Sequence, residues 1–117
     1  MEKLALVTGG AHRLGKSFAL TLARLGYDIG LHYHSAVEEA RQTQGELESL
    51  NCRVILAPAD LTQPAEIQSL VSNLQSLDVL VNSAAFMPSG NVESLPLETW
   101  DTTLDLNLRA PFLLAQE

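Results

Sequence analysis

The residues best placed to do chemistry stand just after four short apolar runs. The first run is followed by Thr8-Gly9-Gly10-Ala11-His12-Arg13-Leu14-Gly15. Glycines at a strand-to-helix turn let the backbone approach a ligand closely, and the N–H groups that open the helix then face an anion that the helix dipole favours. A tight turn with a packing glycine is the plainer alternative. Arg13 is a cation at a helix start, where the dipole disfavours it. A bound phosphate removes that cost, and a guanidinium can grip a pyrophosphate while offering a further donor to a substrate; otherwise Arg13 is a solvated surface residue. The second run ends in His32-Tyr33-His34-Ser35, the third precedes Asp60, and the fourth ends at Asn82. An amide at Asn82 can tie neighbouring strand-end loops together and line a ligand. Asn107 stands four residues before Pro111. Proline has no N–H to give the Asn107 carbonyl, so the helix is expected to kink there and free that carbonyl for a water.

These residues need elements to position them. Lys3–Thr8, Asp28–His34, Arg53–Ala57 and Asp78–Asn82 read as short, continuously apolar strands. Leu14, Phe18, Leu22 and Leu25 give the first helix one apolar face ending near Gly26. Ser35 with Glu38 has capping-box spacing and opens a helix to about Leu50. Pro64 starts a third, with Ile67, Leu70, Val71, Leu74 and Leu77 on one face. After a loop holding Pro88, Gly90 and Pro96, a last helix is predicted from about Glu98 to the end of the sequence. Its face of Leu97, Trp100, Leu104, Asn107, Leu108 and Pro111 points Asn107 inward among apolar groups, where it needs partners.

Strands and helices thus alternate as βαβαβαβα. The fold class is α/β: a Rossmann-type doubly wound parallel sheet in the order 3-2-1-4, with ligands at the carboxyl ends of strands near the switch between strands 1 and 4. A free ribose 2′-hydroxyl usually meets an acid at the end of the second strand. None is there, because Asp28 falls at that strand's start. His34 and the Ser35 hydroxyl can instead accept a 2′-phosphate, which points to NADP rather than NAD; Ser35 can equally be a helix cap, or serve both ends. Two histidines at i, i+2 have no further ligands beside them, so no metal site is expected.

The 117 residues, 46% hydrophobic and 18% charged, fit one domain, 1–117. No apolar run reaches the roughly 18–20 residues of a membrane span, and Met1-Glu2-Lys3 leads straight into a strand rather than a signal peptide. The lone Cys52 suits a reducing cytoplasm. A net charge of −7 offers no general attraction to nucleic acid or anionic lipid.

The motifs, taken together, resemble the short-chain dehydrogenase/reductase family. Thr8–Gly15 is similar to its T-G-x-x-x-G-x-G signature, with Arg13 in place of the middle glycine. Pteridine-reductase-like members carry that variant, and Leu31-His32-Tyr33-His34-Ser35 also resembles theirs, although they usually have an arginine before the serine. Asp60-Leu61 resembles the family's adenine-contacting pair, Asn82-Ser83-Ala84-Ala85 its N-N-A-G motif with Ser83 for the second asparagine, and Asn107–Phe112 the segment bearing its active-site asparagine.

The resemblance implies a dinucleotide held by Thr8, Gly9, Arg13, Leu14, His34, Ser35, Asp60, Leu61, Asn82 and Ala84. Arg13 and Phe86 would meet the substrate, and Asn107 would act through a water joined to a catalytic lysine. Phe86 has a plainer reading as a loop aromatic. The family's catalytic serine and its Y-x-x-x-K pair do not occur in this sequence, whose only tyrosines are Tyr27 and Tyr33. The expectation is therefore the cofactor-binding, N-terminal half of an NADP-dependent reductase of a carbonyl or pterin-like small molecule. That half would be inactive alone and a homo-oligomer, dimer or tetramer, as the full-length protein. A truncated, non-catalytic nucleotide-binding or interaction protein is the alternative.

Overall fold

The computed structural model describes residues 3–74, 76–86, 88 and 90–116. Met1, Glu2 and Glu117, on which the readings of the two termini bear, lie outside the described residues. The strands β1 (Leu4–Val7), β2 (Asp28–Tyr33), β3 (Val54–Pro58) and β4 (Val79–Val81) alternate with the helices α1 (Arg13–Arg24), α2 (Val37–Glu48) and α3 (Pro64–Ser72). The last helical segment has three parts: α4 (Leu97–Leu104), a π-turn over Asp105–Arg109, and α5 (Ala110–Gln116). The sheet is parallel in the order β3-β2-β1-β4, the doubly wound order that the sequence predicts.

Alternation along β1 divides the core in two. Ala5 and Val7 pack with Ala19, Ala23, Ile29, Leu31 and Leu47 under α1 and α2. Leu4 and Leu6 pack with Leu61, Ile67, Leu70, Ala110 and Leu114 under α3 and α5. All four β1 residues are buried, as a central parallel strand covered on both faces requires. At the amino ends of the strands, Asp78 accepts the Leu4 N–H at 2.9 Å and Asp28 accepts the Arg53 N–H at 3.0 Å. Two of the chain's acids are thereby fastened at the end of the sheet away from the ligand edge.

Three sequence expectations are corrected. In α1 the buried residues are Gly15, Ala19 and Ala23, one position on from the predicted leucine face, and Leu14 and Leu25 are exposed. The reason is steric: a Cβ on Gly15 would lie 2.1 Å from the Gly9 carbonyl oxygen, so only a stripe of small residues lets α1 sit this close to the turn. Ser35 does not cap α2. The N-cap is Ala36, which has no side-chain cap bond, and the Ser35 carbonyl accepts the Val37 N–H instead. The last helix does not bury its Leu97–Leu108 stripe. Trp100 is 53% and Leu108 67% exposed, and α4 buries no residue. A π-turn adds a residue to one turn and rotates the faces on either side of it, so the helix docks through Leu106, Ala110, Leu113 and Leu114.

The two helical glycines give opposite expectations. Gly15→Ala should destabilise the fold by about 3 kcal/mol or more through its clash with backbone. Gly45→Ala, within α2 and with nothing within 4 Å of the added Cβ, should stabilise by about 0.5–1 kcal/mol. Thermal denaturation of the two variants beside the parent checks both signs.

Candidate functional site

A cleft of about 860 Å³ opens at the carboxyl ends of the strands. Its walls are the Gly9–Gly15 turn, the end of β2 from His32 to Ala36, the Ala59–Thr62 loop after β3 and the Ser83–Phe86 loop after β4, with Thr102 and Leu106 of the last helical segment closing one side.

The turn is built for close backbone approach. Gly9 has φ +60°, and a Cβ there would lie 2.9 Å from the Ala84 Cα. The Gly9 and Gly10 N–H groups are both spent internally, on the His32 Nδ1 at 2.9 Å and the His32 carbonyl at 3.0 Å. An anion must therefore be met by amides at the start of α1, whose first turn carries no acid. Arg13 opens that helix with φ +55°, a left-handed conformation that costs a non-glycine residue about 1 kcal/mol or more. It is exposed and forms no ion pair among the described residues. From beneath, Thr43 of α2 donates to the Ala11 carbonyl at 2.6 Å, and Lys16 pairs with Glu46 at 2.5 Å.

Thr8 knits β1 to β4. Its hydroxyl oxygen accepts the N–H groups of Ser83 and Ala84, each at 3.0 Å, while its own N–H donates to the Val81 carbonyl at 3.0 Å. Thr8 is buried and lies behind the cleft wall, not on its surface. The tie expected of the Asn82 amide is thus made by Thr8; Asn82 is exposed and does not line the cleft.

Beyond β3, Asp60 is held in an Asx-type turn. One of its carboxylate oxygens accepts both the N–H (3.0 Å) and the hydroxyl (2.7 Å) of Thr62, and these bonds hold its carboxyl below the usual carboxylate range. The Asp60 N–H donates to Glu66 at 2.9 Å, and Arg109 of the π-turn donates to the Thr62 carbonyl at 2.6 Å. Leu61 is buried. His34 and Ser35 are exposed on the cleft wall, and His34 adds to the lowering of the Asp60 carboxyl.

Asn107 lies in the π-turn, exposed rather than turned inward among apolar groups. Its amide makes a two-point clamp: Oδ1 accepts the Phe86 N–H at 2.8 Å and Nδ2 donates to the Phe86 carbonyl at 2.7 Å. Where the kink is expected the structure has a π-turn. Pro111 cannot bond to the turn before it, and the helix takes a π-turn in which the Ala110 N–H reaches the Asp105 carbonyl.

Three features escaped the sequence reading. His32 is 3% exposed and bonded through both ring nitrogens, to the Gly9 N–H and to the Ala59 carbonyl at 2.9 Å. Burial holds its imidazole below the ordinary histidine range, with the nearby His34 acting the same way and the bond to Ala59 opposing. A polar ring in an otherwise apolar strand was the available signal. Thr43 and Arg109, the other two, offer no pattern in one sequence, since their partners lie 32 and 47 residues away.

Residues 3–117 match the family model described as short chain dehydrogenase. Among curated proteins, the chain is 33% identical to a D-beta-hydroxybutyrate dehydrogenase of Rhizobium meliloti over 96% of its length and 45% of the relative's. It is 34% identical to a 3-oxoacyl-acyl-carrier-protein reductase of Staphylococcus aureus over 100% of its length and 49% of the relative's. Among solved structures, a short chain dehydrogenase from Burkholderia cenocepacia in complex with NADP superposes with a TM-score of 0.90 at 33% identity, covering 97% of this chain and 48% of that one. An acetoin dehydrogenase from Salmonella typhimurium does so with a TM-score of 0.90 at 32% identity, covering 99% and 47%. The chain spans about half the length of the curated relatives it matches.

The Thr8 tie has a measurable worth. Thr8→Val keeps the side chain's shape but leaves the Ser83 and Ala84 amides without their acceptor, so it should cost about 2–4 kcal/mol. Chemical denaturation measures the loss, and hydrogen exchange should quicken first at Ser83 and Ala84.

Proposed function

Since this chain belongs to the short-chain dehydrogenase family, we propose that it forms the cofactor-binding half of an NADP-dependent oxidoreductase of small carbonyl or pterin-like molecules. The observation that carries the reading is the cleft's own construction. A turn with no room for side chains at Gly9 and Gly15 meets a helix start without acids, at the switch of a doubly wound sheet. Those features fit a pyrophosphate, and the volume suits a large organic ligand.

Each residue has a part in that reading. The α1 amides and Arg13 hold the pyrophosphate. His34 and Ser35 receive the 2′-phosphate, in a wall where Asp60, the only acid among the described residues that line it, has one carboxylate oxygen committed to Thr62 and the other to accept from the adenine amino group beside Leu61. Ala84, on the cleft wall, borders the ribose. A bound nicotinamide supplies or accepts the hydride. Phe86 presents its ring to the substrate side of the cleft, and Asn107 sets the backbone that carries it. Within the π-turn, Asn107 is also the residue read as holding the catalytic water.

A pterin-like substrate is favoured by the pairing of Arg13 with Phe86 across one cleft, a cation and an aromatic face suited to a flat polar heterocycle. Likeness to a D-beta-hydroxybutyrate dehydrogenase and an acetoin dehydrogenase favours a small carbonyl compound. The exposed stripe of Trp100, Leu104, Leu108 and Phe112 supports a homo-oligomer, a dimer or tetramer. The lone Cys52 is consistent with the cytoplasm. Among the described residues no helix is long and apolar enough to cross a membrane.

Cofactor choice tests the reading in the protein expressed from its whole reading frame. NADPH should bind at least about tenfold more tightly than NADH, and raised salt should narrow the gap. Ser35→Asp should move preference toward NADH through like-charge repulsion. Equal affinity of the parent for the two cofactors, measured by fluorescence titration, would overturn the assignment.

A further inference from the structure

We propose that His32 is a positioning residue of the cofactor site, a neutral imidazole that bolts the glycine turn to the loop after β3 and releases both on taking up a proton. The inference rests on the reading of the cleft as a dinucleotide site, but its geometry stands apart from any ligand. A carbonyl oxygen only accepts, so the Nε2 facing the Ala59 carbonyl at 2.9 Å carries the ring's hydrogen. Nδ1 is then bare and accepts the Gly9 N–H at 2.9 Å. Only one tautomer of the neutral ring satisfies both bonds. An imidazolium has hydrogens on both nitrogens, which would set a ring N–H against the Gly9 N–H, donor to donor.

The ring has little freedom to escape that conflict. It is almost wholly buried, and turning it away from Gly9 also surrenders the bond to Ala59. The Gly10 N–H hangs on the backbone carbonyl of the same residue at 3.0 Å. Two consecutive amides of the turn therefore depend on one side chain and its backbone. The α1 amides follow directly from that turn, so a proton on His32 disturbs the phosphate cradle without touching the ligand.

Charged and titratable groups approach from every element around the ring. His34 lies just beyond the end of its own strand, His12 and Arg13 on the turn and helix start, and Asp60 on the loop after β3. Behind Asp60 stand Glu66 of α3, bonded to its N–H, and Arg109, bonded to the Thr62 carbonyl. Burial opposes a proton on His32, and His34 acts in the same direction. The Asp60 carboxylate oxygen engaged by Thr62 is turned to that partner. Because the folded state holds the ring neutral, the clamp's stability is fully present above the ordinary histidine range and is lost as the pH falls below it.

Ring nitrogen NMR of the protein expressed from its whole reading frame, between about pH 8 and about pH 5, tests the clamp directly. His32 should show a protonated Nε2 and a bare Nδ1, and it should keep them to lower pH than a free histidine would. NADPH titrations over the same range test the positioning role. The parent should lose affinity on acidification roughly tenfold more than His32→Asn, whose amide can accept the Gly9 N–H but cannot become charged. His34 and the 2′-phosphate are present in both proteins, so the ratio of the two affinities isolates His32. His32→Phe, which fills the space without either bond, should bind at least about tenfold more weakly already at neutral pH. A hydrogen on Nδ1 in the neutral protein would overturn the clamp. Equal acid sensitivity in parent and His32→Asn would overturn the positioning role. Absence of NADPH binding at every pH would overturn the dinucleotide reading and the positioning role with it, while the ring spectrum still decides the clamp.

Discussion

A parallel sheet has no hairpins at the edge where its ligand binds, so its strand ends have to be fastened by something other than the ladder. Here four side chains among the described residues do the fastening. Thr8 joins the end of β1 to the loop after β4, and His32 joins the end of β2 to both the glycine turn and the loop after β3. Arg109 ties the loop after β3 to the π-turn, and Asn107 ties the π-turn to the loop after β4. The ties form a circuit around the cleft, each link closing on a backbone N–H or C=O. Main-chain partners hold position better than long side chains, because they carry no rotamer entropy to lose. A site assembled from loops thereby gains the rigidity of the sheet beneath it.

The electrostatics follow the same division between the two ends of the sheet. The chain carries a net charge of −7, a poor starting point for holding a polyanion. The acids nearest the strands are disposed to limit that problem. Asp28 and Asp78 are bonded at the amino ends, α1 has no acid in its first turn, and one carboxylate oxygen of Asp60 is engaged by Thr62. What remains at the carboxyl ends is a helix dipole, Arg13 and the imidazoles of His12 and His34. Local arrangement, not net charge, decides what the cleft accepts.

Much of the fold was legible because its signals are local. The four apolar strands, the Gly9-Gly10 turn and Pro64 at the start of α3 each announce themselves within a few residues. The errors arose where a distant contact overrides a local preference. The leucines of α1 form a regular face, yet the approach of Gly15 to the Gly9 carbonyl fixes the helix's rotation and puts the small residues inward. Ser35 has the spacing of a cap, but its carbonyl and not its hydroxyl makes the first turn. The stripe from Leu97 to Leu108 has helical period but crosses a π-turn, and Asn107 is drawn out to Phe86. For His32 the sequence suggested no role, since the pair it makes with His34 lacks the further ligands of a metal site. Only the fold shows that both its nitrogens are already taken by backbone.

Arg13 brings these strands of argument to one residue. Its place in the turn is left-handed, the conformation for which glycine is the natural choice and in which a side chain adds strain. It is also a cation at the start of a helix, where the dipole opposes it. Both terms disfavour arginine here, and among the described residues no ion pair offsets them. Neither term opposes a bound anion; the dipole and the guanidinium would then act together, and the fixed left-handed backbone would hold the side chain at the mouth of the cleft instead of along the helix. The turn is thus least favourable to itself at the one position where a phosphate would make it favourable, which is the physical sense in which the site is prepared for a ligand.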